Sequence, residues 1–331
     1  MKTPYSAKGS RTFLSGVLSL FVLSTASPGA IAQIENSELG PIYQLLEQHL
    51  YLQAEQELGI HLEQNRRDAE AWQLLGTARQ GRWDFKKAAE AYQRALGLGR
   101  ENAPLLRRWI ESEGRSLSNV ARVFNARRLK NAAQRALELD PYHVETRGVI
   151  AAYYYYLPRL LGGSKKKASR LVEELVELSP ADGYYLLGAR ARDEDKPDSV
   201  TLDYWSNALE HNPEHIATLR DLGLYRIDNG DVEEGINYYK RAVEADTENP
   251  GIYLSYGRGL RRADMHDSSA VQLKKALQID AFYAPARLNL AEYYERVENS
   301  EAAIKHYWTL VKNNPSYMTR EIEKRLGNLI R

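Results

Sequence analysis

Trp72-Gln73-Leu74-Leu75-Gly76, followed at fixed distances by Ala88, Tyr92 and Ala95, is the stretch that decides how this chain folds. The same arrangement of small and large residues returns downstream. Gly223, Gly257 and Ala291 lie 34 residues apart, preceded by Leu222, Tyr256 and Leu290. A second helix is expected to begin twelve residues past each of them. Its own markers, Ala242, Ala276 and Leu310, each follow a large residue three positions earlier: Tyr239, Leu273 and Tyr307. A recurrence of 34 residues signals a helix-turn-helix unit that buries its apolar face only by stacking on its neighbours. The small residues let adjacent helices approach closely, and the large ones fill the space between units.

The marked residues of 72–95 fit the pattern W-x2-L-G…A-x3-F-x2-A, so the chain resembles the tetratricopeptide-repeat family over about residues 35–317. That resemblance implies an all-α fold, a right-handed superhelical solenoid of about eight helix pairs. The units are expected to start near Glu35, Ala69, Ala103, Val144, Gly183, Ile216, Pro250 and Ala284. Pro141, Pro180, Pro213, Pro250 and Pro315 each stand just past a predicted helix, where a missing N–H does no harm. The expected organisation is a degenerate repeat over 33–68, the main array over 69–317 and a capping helix over 318–331. In that last helix Leu326, Leu329 and Ile330 are available to cover the final repeat.

Two units depart from the period. The third, 103–143, carries about seven extra residues around Gly114–Asn119, and the fourth, 144–182, about five within 157–164. Pro158 followed by Gly162-Gly163 predicts a lengthened inter-helix loop in the fourth. Such insertions fall on one side of a solenoid, where partner contacts often collect.

The N-terminus has the form of a secretory signal. Lys2, Lys8 and Arg11 precede the apolar stretch Phe13–Thr25, and Ala30-Ile31-Ala32 supplies a small-x-small cleavage pattern. A signal peptide over 1–32, cleaved after Ala32 and using the Sec route, is therefore expected, with a periplasmic mature chain. Residues 1–32 hold three basic and no acidic residues, so removing them from 45 basic and 44 acidic leaves a net charge of −2. That balance does not suggest a nucleic-acid binder. No later segment is long and apolar enough to predict a membrane span. The absence of cysteine excludes disulfides, thiolate metal sites, cysteine nucleophiles and a lipid-modified N-terminal cysteine. Aromatic use is lopsided, with 22 Tyr against 5 Phe, a choice suited to half-buried positions on helix pairs and to binding surfaces alike.

Catalytic and metal signatures are weak throughout. No G-x-S-x-G, H-E-x-x-H or Walker pattern occurs. His211 and His215 are separated by Pro213, and Gly257-Arg258-Gly259 lacks the strand and the third glycine of a dinucleotide loop. Neither an enzyme, a cofactor nor a metal site is expected.

Recognition residues are predicted in three places. The family resemblance implies that Tyr155, Tyr156, Arg220, Arg258, Arg261 and Arg262 line the concave face, where grouped arginines could grip carboxylates in pairs. The chaperone-type carboxylate clamp of the family is missing, because its Lys and Asn positions hold Leu254 and Arg258, or Arg220 and Leu224. Ser164 is a good N-cap for a helix opening on Lys165, Lys166 and Lys167, and free N–H groups after Gly162-Gly163 would make an anion site. Leu160 to Ala168 also resembles the Gly-Gly-polar-x-x-x-Ala loop of the T-component proteins of TRAP transporters and of microtubule-dynamics-regulator repeats. A third candidate is the basic run Arg100–Arg135, nine basic against three acidic residues, including Arg107, Arg108, Arg115, Arg122, Arg127 and Arg128. The leading expectation is an adaptor that holds an acidic or extended segment of a protein partner in an envelope-assembly or secretion machine. The alternatives are a transport component binding a small anionic solute, as the loop resemblance implies, and a glycan-contacting factor in polysaccharide export.

Overall fold

The computed structural model describes residues 38–116 and 119–330. The expected signal peptide, and the expected start of the first unit at Glu35, lie outside the described residues. Among those described, every regular element is helical. A first pair, α1 (Gly40–Glu47) and α2 (Tyr51–Gln64), precedes seven further pairs. These are α3 (Ala69–Gly81) with α4 (Phe85–Gly97), α5 (Ala103–Ser116) with α6 (Asn119–Leu139), and α7 (Val144–Tyr156) with α8 (Lys165–Leu178). Then follow α9 (Pro180–Asp193) with α10 (Asp198–His211), α11 (Ile216–Asp228) with α12 (Val232–Ala245), α13 (Pro250–Arg262) with α14 (His266–Ile279), and α15 (Ala284–Arg296) with α16 (Ser300–Asn313). A last helix, α17 (Arg320–Leu329), lays Ile322 and Leu326 on Ala291 and Tyr307.

The pairs exist because small residues on each first helix receive large residues of the second. A Cβ on Gly76 would fall 2.4 Å from the Tyr92 ring, and one on Gly223 would fall 2.9 Å from the Tyr239 ring. Ala291 faces Tyr307 in the same relation. The deepest tyrosines keep their hydroxyls satisfied: Tyr92 donates to Gln80 and Tyr307 to Glu295, each at 2.7 Å. Helix starts are set by caps. Asp68 accepts from the N–H groups of Glu70 and Ala71, Asn249 from that of Gly251, and Asn299 from that of Ala302.

The turn inside most pairs uses one residue in the left-handed region. Trp83, Gly230, Asp264 and Glu298 all have positive φ and all stand two residues before the second helix. Glycine takes that conformation freely; a bulky side chain there is strained. Trp83, at φ 66°, is the costliest of the four.

Two boundaries differ from expectation, and one insertion falls as expected. The fifth unit begins at Pro180 rather than Gly183, because a proline is pre-shaped for the first helical position. The extra residues of the third unit do not form a loop over their whole length: Gly114–Ser116 continue α5, and α6 runs for 21 residues. In the fourth unit the insertion is a loop, as its composition predicts, with a short 3-10 turn at Arg159–Leu161 and Gly162 at φ 92°.

The two ends of the array meet. Arg82 donates to the carbonyl of Asn313 at 2.6 Å, and the Asn314 side-chain amide donates to the carbonyl of Trp83. The Trp83 ring stands edge-on to Tyr283 at 4.8 Å, and Tyr51 meets Phe282 at 6.2 Å.

Candidate partner-binding surface on the inner face

Closure of the array brings together side chains that lie far apart in the sequence. Arg115 of α5 sits over the Trp83 and Phe85 rings, 5.4 and 5.0 Å from their centroids, and Trp83 touches Tyr283. Burial pushes the Tyr283 hydroxyl up to about 12, against the opposing pull of Arg115, Arg258 and Arg220. Tyr317 is raised by burial too, and Arg115 and Arg258 act on it in the same opposing sense. Arg115 and Arg258, of the third and seventh repeats, therefore bear on both tyrosines, and Arg220 of the sixth on Tyr283 alone.

Their charge balance is uneven. Arg115 pairs with Glu111 at 3.1 Å. Glu111 accepts from Gln80 at 2.7 Å, and its carboxyl is raised by burial despite Arg115 and Arg108. Among the described residues no carboxylate pairs with Arg220 or Arg258. The Nε of Arg220 is buried with no hydrogen-bond partner. Arg258 is open to solvent yet hemmed in closely enough that burial lowers its pKa, as befits a side chain lining a concave interior. Glu292 bears on Arg258 without pairing with it, so each guanidinium keeps donors for an incoming carboxylate.

The expected grip by grouped arginines is thereby revised. Arg261 donates to Glu292 at 3.1 Å and Arg262 pairs with Asp228, so both serve to tie successive repeats together. Tyr155 and Tyr156 pack edge-on at 4.9 Å, and their hydroxyls donate to Glu194 and Asp193 of the fifth repeat. Lys165 and Arg190 lie over the Tyr155 ring. These tyrosines thus belong to the packing between the fourth and fifth repeats.

The loop around Gly163 also corrects the expectation of free donors. The N–H groups of Gly162, Gly163 and Ser164 bond to the carbonyls of Arg159, Pro158 and Tyr154. Ser164 caps α8 by accepting from the Lys167 N–H, and the Lys167 ammonium sits over the Tyr154 ring at 5.3 Å. Of the backbone expected to cradle an anion, the N–H groups of Gly162, Gly163, Ser164 and Lys167 are spent on the loop and its cap; Lys166 is exposed.

The basic run is largely neutralised, mostly within its own repeats. Arg100 pairs with Glu70, Arg107 with Asp140, Arg128 with Glu113 and Arg135 with Glu101. The Arg122 side chain lies outside the described residues. His211 bonds the Asn207 carbonyl, whereas His215 contacts Thr218 and Asp182. Among the described residues no group of three His, Cys, Asp or Glu side chains is placed to hold a metal ion, and no helix is long and apolar enough to cross a membrane.

Trp83, Tyr283 and Tyr317 carry no periodic signal, and Arg115 was visible only as one charge in a basic run. Their role depends on how far each repeat rotates relative to the last, which no local pattern records.

Comparison with known proteins agrees with the architecture. The family model described as Tetratricopeptide repeat matches residues 221–249. Photosystem I assembly protein Ycf3 of Prochlorococcus marinus (strain NATL2A) is 25% identical over 131 residues, covering 34% of this chain and 75% of that protein. The crystal structure of yeast Tom70 superposes with a TM-score of 0.58 at 16% identity, covering 95% of this chain. The present chain spans 66% of the length of that Tom70 chain. A 34-residue period, stacked helix pairs built on small-to-aromatic contacts, and a matched repeat in the sixth unit show an all-α solenoid of tetratricopeptide-type repeats.

Proposed function

We propose that the chain is a non-catalytic periplasmic adaptor whose inner face receives an acidic, extended segment of a protein partner. The observation that carries this reading is the pair Arg220 and Arg258, held toward the interior beside Tyr283 without carboxylate partners. Tetratricopeptide arrays serve as protein-binding scaffolds, and the Ycf3 relative is itself named as an assembly protein. Export by the N-terminal signal remains part of the proposal and rests on residues 1–32 alone. The solute-transport alternative draws less support, because the backbone donors it needs in the 157–164 loop are already bonded.

The test uses a fluorescein-labelled hexaglutamate peptide and fluorescence anisotropy. The wild type is expected to bind it in a salt-sensitive manner, and Arg220→Ala with Arg258→Ala to weaken it at unchanged helical circular dichroism. Equal binding by wild type and double variant, or none by the wild type, overturns the acidic-segment reading. Retention of the full-length chain in the cytoplasm of the producing bacterium overturns the export reading separately.

A further inference from the structure

We propose that the loop between α7 and α8 docks the chain on the surface of an anionic lipid bilayer, with Leu160 as the apolar anchor and the cations around it as contacts for lipid phosphates. The proposal uses none of the inner-face arginines and stands independently of the acidic-segment reading.

Leu160 is 98% exposed, more than any other large apolar side chain among the described residues. A leucine on a loose tip would fold back onto the protein; this one is held out. The turn at Arg159–Leu161 closes with the Gly162 N–H on the Arg159 carbonyl, and the N–H groups of Gly163 and Ser164 bond to the carbonyls of Pro158 and Tyr154. Gly163 is buried against the Leu157 carbonyl with no room for a Cβ, and Pro158 fixes the backbone that enters the turn. A tip fixed in this way needs little ordering to deliver its side chain into an apolar phase.

Charge selects the phase. From Leu157 to Val172 there are five basic residues and no acidic one. Among the described residues no carboxylate pairs with Arg159, Lys165, Lys166 or Lys167, all of them exposed, whereas Arg170 pairs with Glu174. Lys130 of α6 joins them from the preceding repeat, its Nζ 3.6 Å from where a Gly162 Cβ would stand. Lys130 and Lys167 both sit over the Tyr154 ring at 5.3 Å, and Lys165 over the Tyr155 ring at 5.2 Å, so three ammonium groups are held at the root of the loop. The fifth repeat brings Glu194 and Asp193 to Tyr155 and Tyr156, whose hydroxyls they accept, and Glu194 also pairs with Arg190. The backbone donors that would enclose a free anion are already bonded, which leaves the cations to act as side chains spread over a surface. A bilayer takes both features at once, phosphates at the level of the cations and acyl chains beneath them for the leucine.

Sedimentation with vesicles of equal parts phosphatidylcholine and phosphatidylglycerol tests this. The chain from Gln33 onward keeps every described helix and drops the apolar stretch Phe13–Thr25, which would bind lipid by itself. It is expected to sediment with these vesicles, to stay in solution with phosphatidylcholine alone, and to detach as salt is raised. Leu160→Ser should weaken partitioning about tenfold, and Arg159→Gln with Lys166→Gln about tenfold or more, both at unchanged helical circular dichroism. Insertion is read separately. The chain has no cysteine, so Leu160→Cys carries an environment-sensitive dye at the tip alone. Its emission should shift to the blue on the anionic vesicles, while the same dye on the exposed Lys275→Cys of α14 should not respond. Binding unchanged by Leu160→Ser, or equal shifts at both dye positions, would mean adsorption by charge alone and overturns the anchor. No binding by the wild type overturns the whole proposal, and self-association that Leu160→Ser abolishes assigns the tip to a second copy of the chain instead.

Discussion

Gly188 and Trp205 fit so closely that a Cβ on Gly188 would stand 2.5 Å from Cδ1 of the indole and 2.6 Å from its Nε1. Trp205 is fully buried, and the Thr201 carbonyl closes the other side at 3.2 Å. The ring has nowhere to retreat. Gly188→Ala is therefore expected to destabilise the fifth repeat by about 1–3 kcal/mol, the usual cost of overpacking. Gly59, mid-helix in α2, is the control because nothing lies within 4 Å of its would-be Cβ. Gly59→Ala should stabilise by about 0.5–1 kcal/mol through helix propensity alone. Urea midpoints of the two variants, followed by circular dichroism, should move in opposite directions.

Such contacts explain what the sequence discloses and what it hides. Gly76 and Tyr92, or Gly223 and Tyr239, pair within one unit, so their spacing repeats and marks the helices at Ala69, Ile216, Pro250 and Ala284. The ion pairs of Arg261 with Glu292 and Arg262 with Asp228 span neighbouring units. The second has a spacing of one full period and was open to detection. Trp83 and Tyr283 are 200 residues apart and meet only because small rotations between repeats add up to closure. A rotation is a property of packing rather than of any single position, so the inner site was only half legible, as Arg220 and Arg258 without Arg115 and Tyr283.

His306 predicts a pH effect with a definite sign. Burial, then Arg287, Lys305 and Lys274, hold its pKa down at about 4, and its Nδ1 is buried without a hydrogen-bond partner beside the Tyr294 ring. It is neutral in the folded chain, whereas the unfolded chain protonates it below about 6.5. The unfolded state therefore binds more protons between those values, and stability falls as pH drops through that window. Glu145, whose carboxyl burial raises to about 7, runs the other way, so the total alone is not diagnostic. The difference between wild type and His306→Phe is. The variant should gain about 1–2 kcal/mol on the wild type between pH 7.5 and pH 5. A difference independent of pH would mean that His306 is not held neutral.

The loop of the fourth repeat should respond sharply to small changes. A Cβ on Gly163 would meet the Leu157 carbonyl oxygen at 1.8 Å, a backbone atom that cannot swing aside. Gly163→Ala is expected to cost about 1–3 kcal/mol and to speed hydrogen exchange at the Ser164 N–H, which now bonds to Tyr154. Ser164→Ala loses only the cap of α8 and should cost about 1 kcal/mol. Equal thermal shifts in the two variants would show that the loop backbone is not held as described.

Arg258 offers a test that separates binding from folding. A guanidinium kept for stability is expected to have partners, as Arg147 does: it pairs with Glu174 and donates to the Pro141 carbonyl at 2.8 Å. Arg147→Met should therefore destabilise, by about 1–2 kcal/mol, since it strands the Pro141 carbonyl and leaves Glu174 only the exposed Arg170. Arg258 has no such partners, and burial works against its charge. Arg258→Met keeps the apolar stem and removes the desolvated charge, so the fold should be unaffected or stabilised by up to about 1 kcal/mol. The same change should weaken hexaglutamate binding. Gain of stability with loss of binding is the trade expected where a charge is kept for a ligand. Loss of stability with binding retained would instead make Arg258 a structural residue and remove it from the inner site.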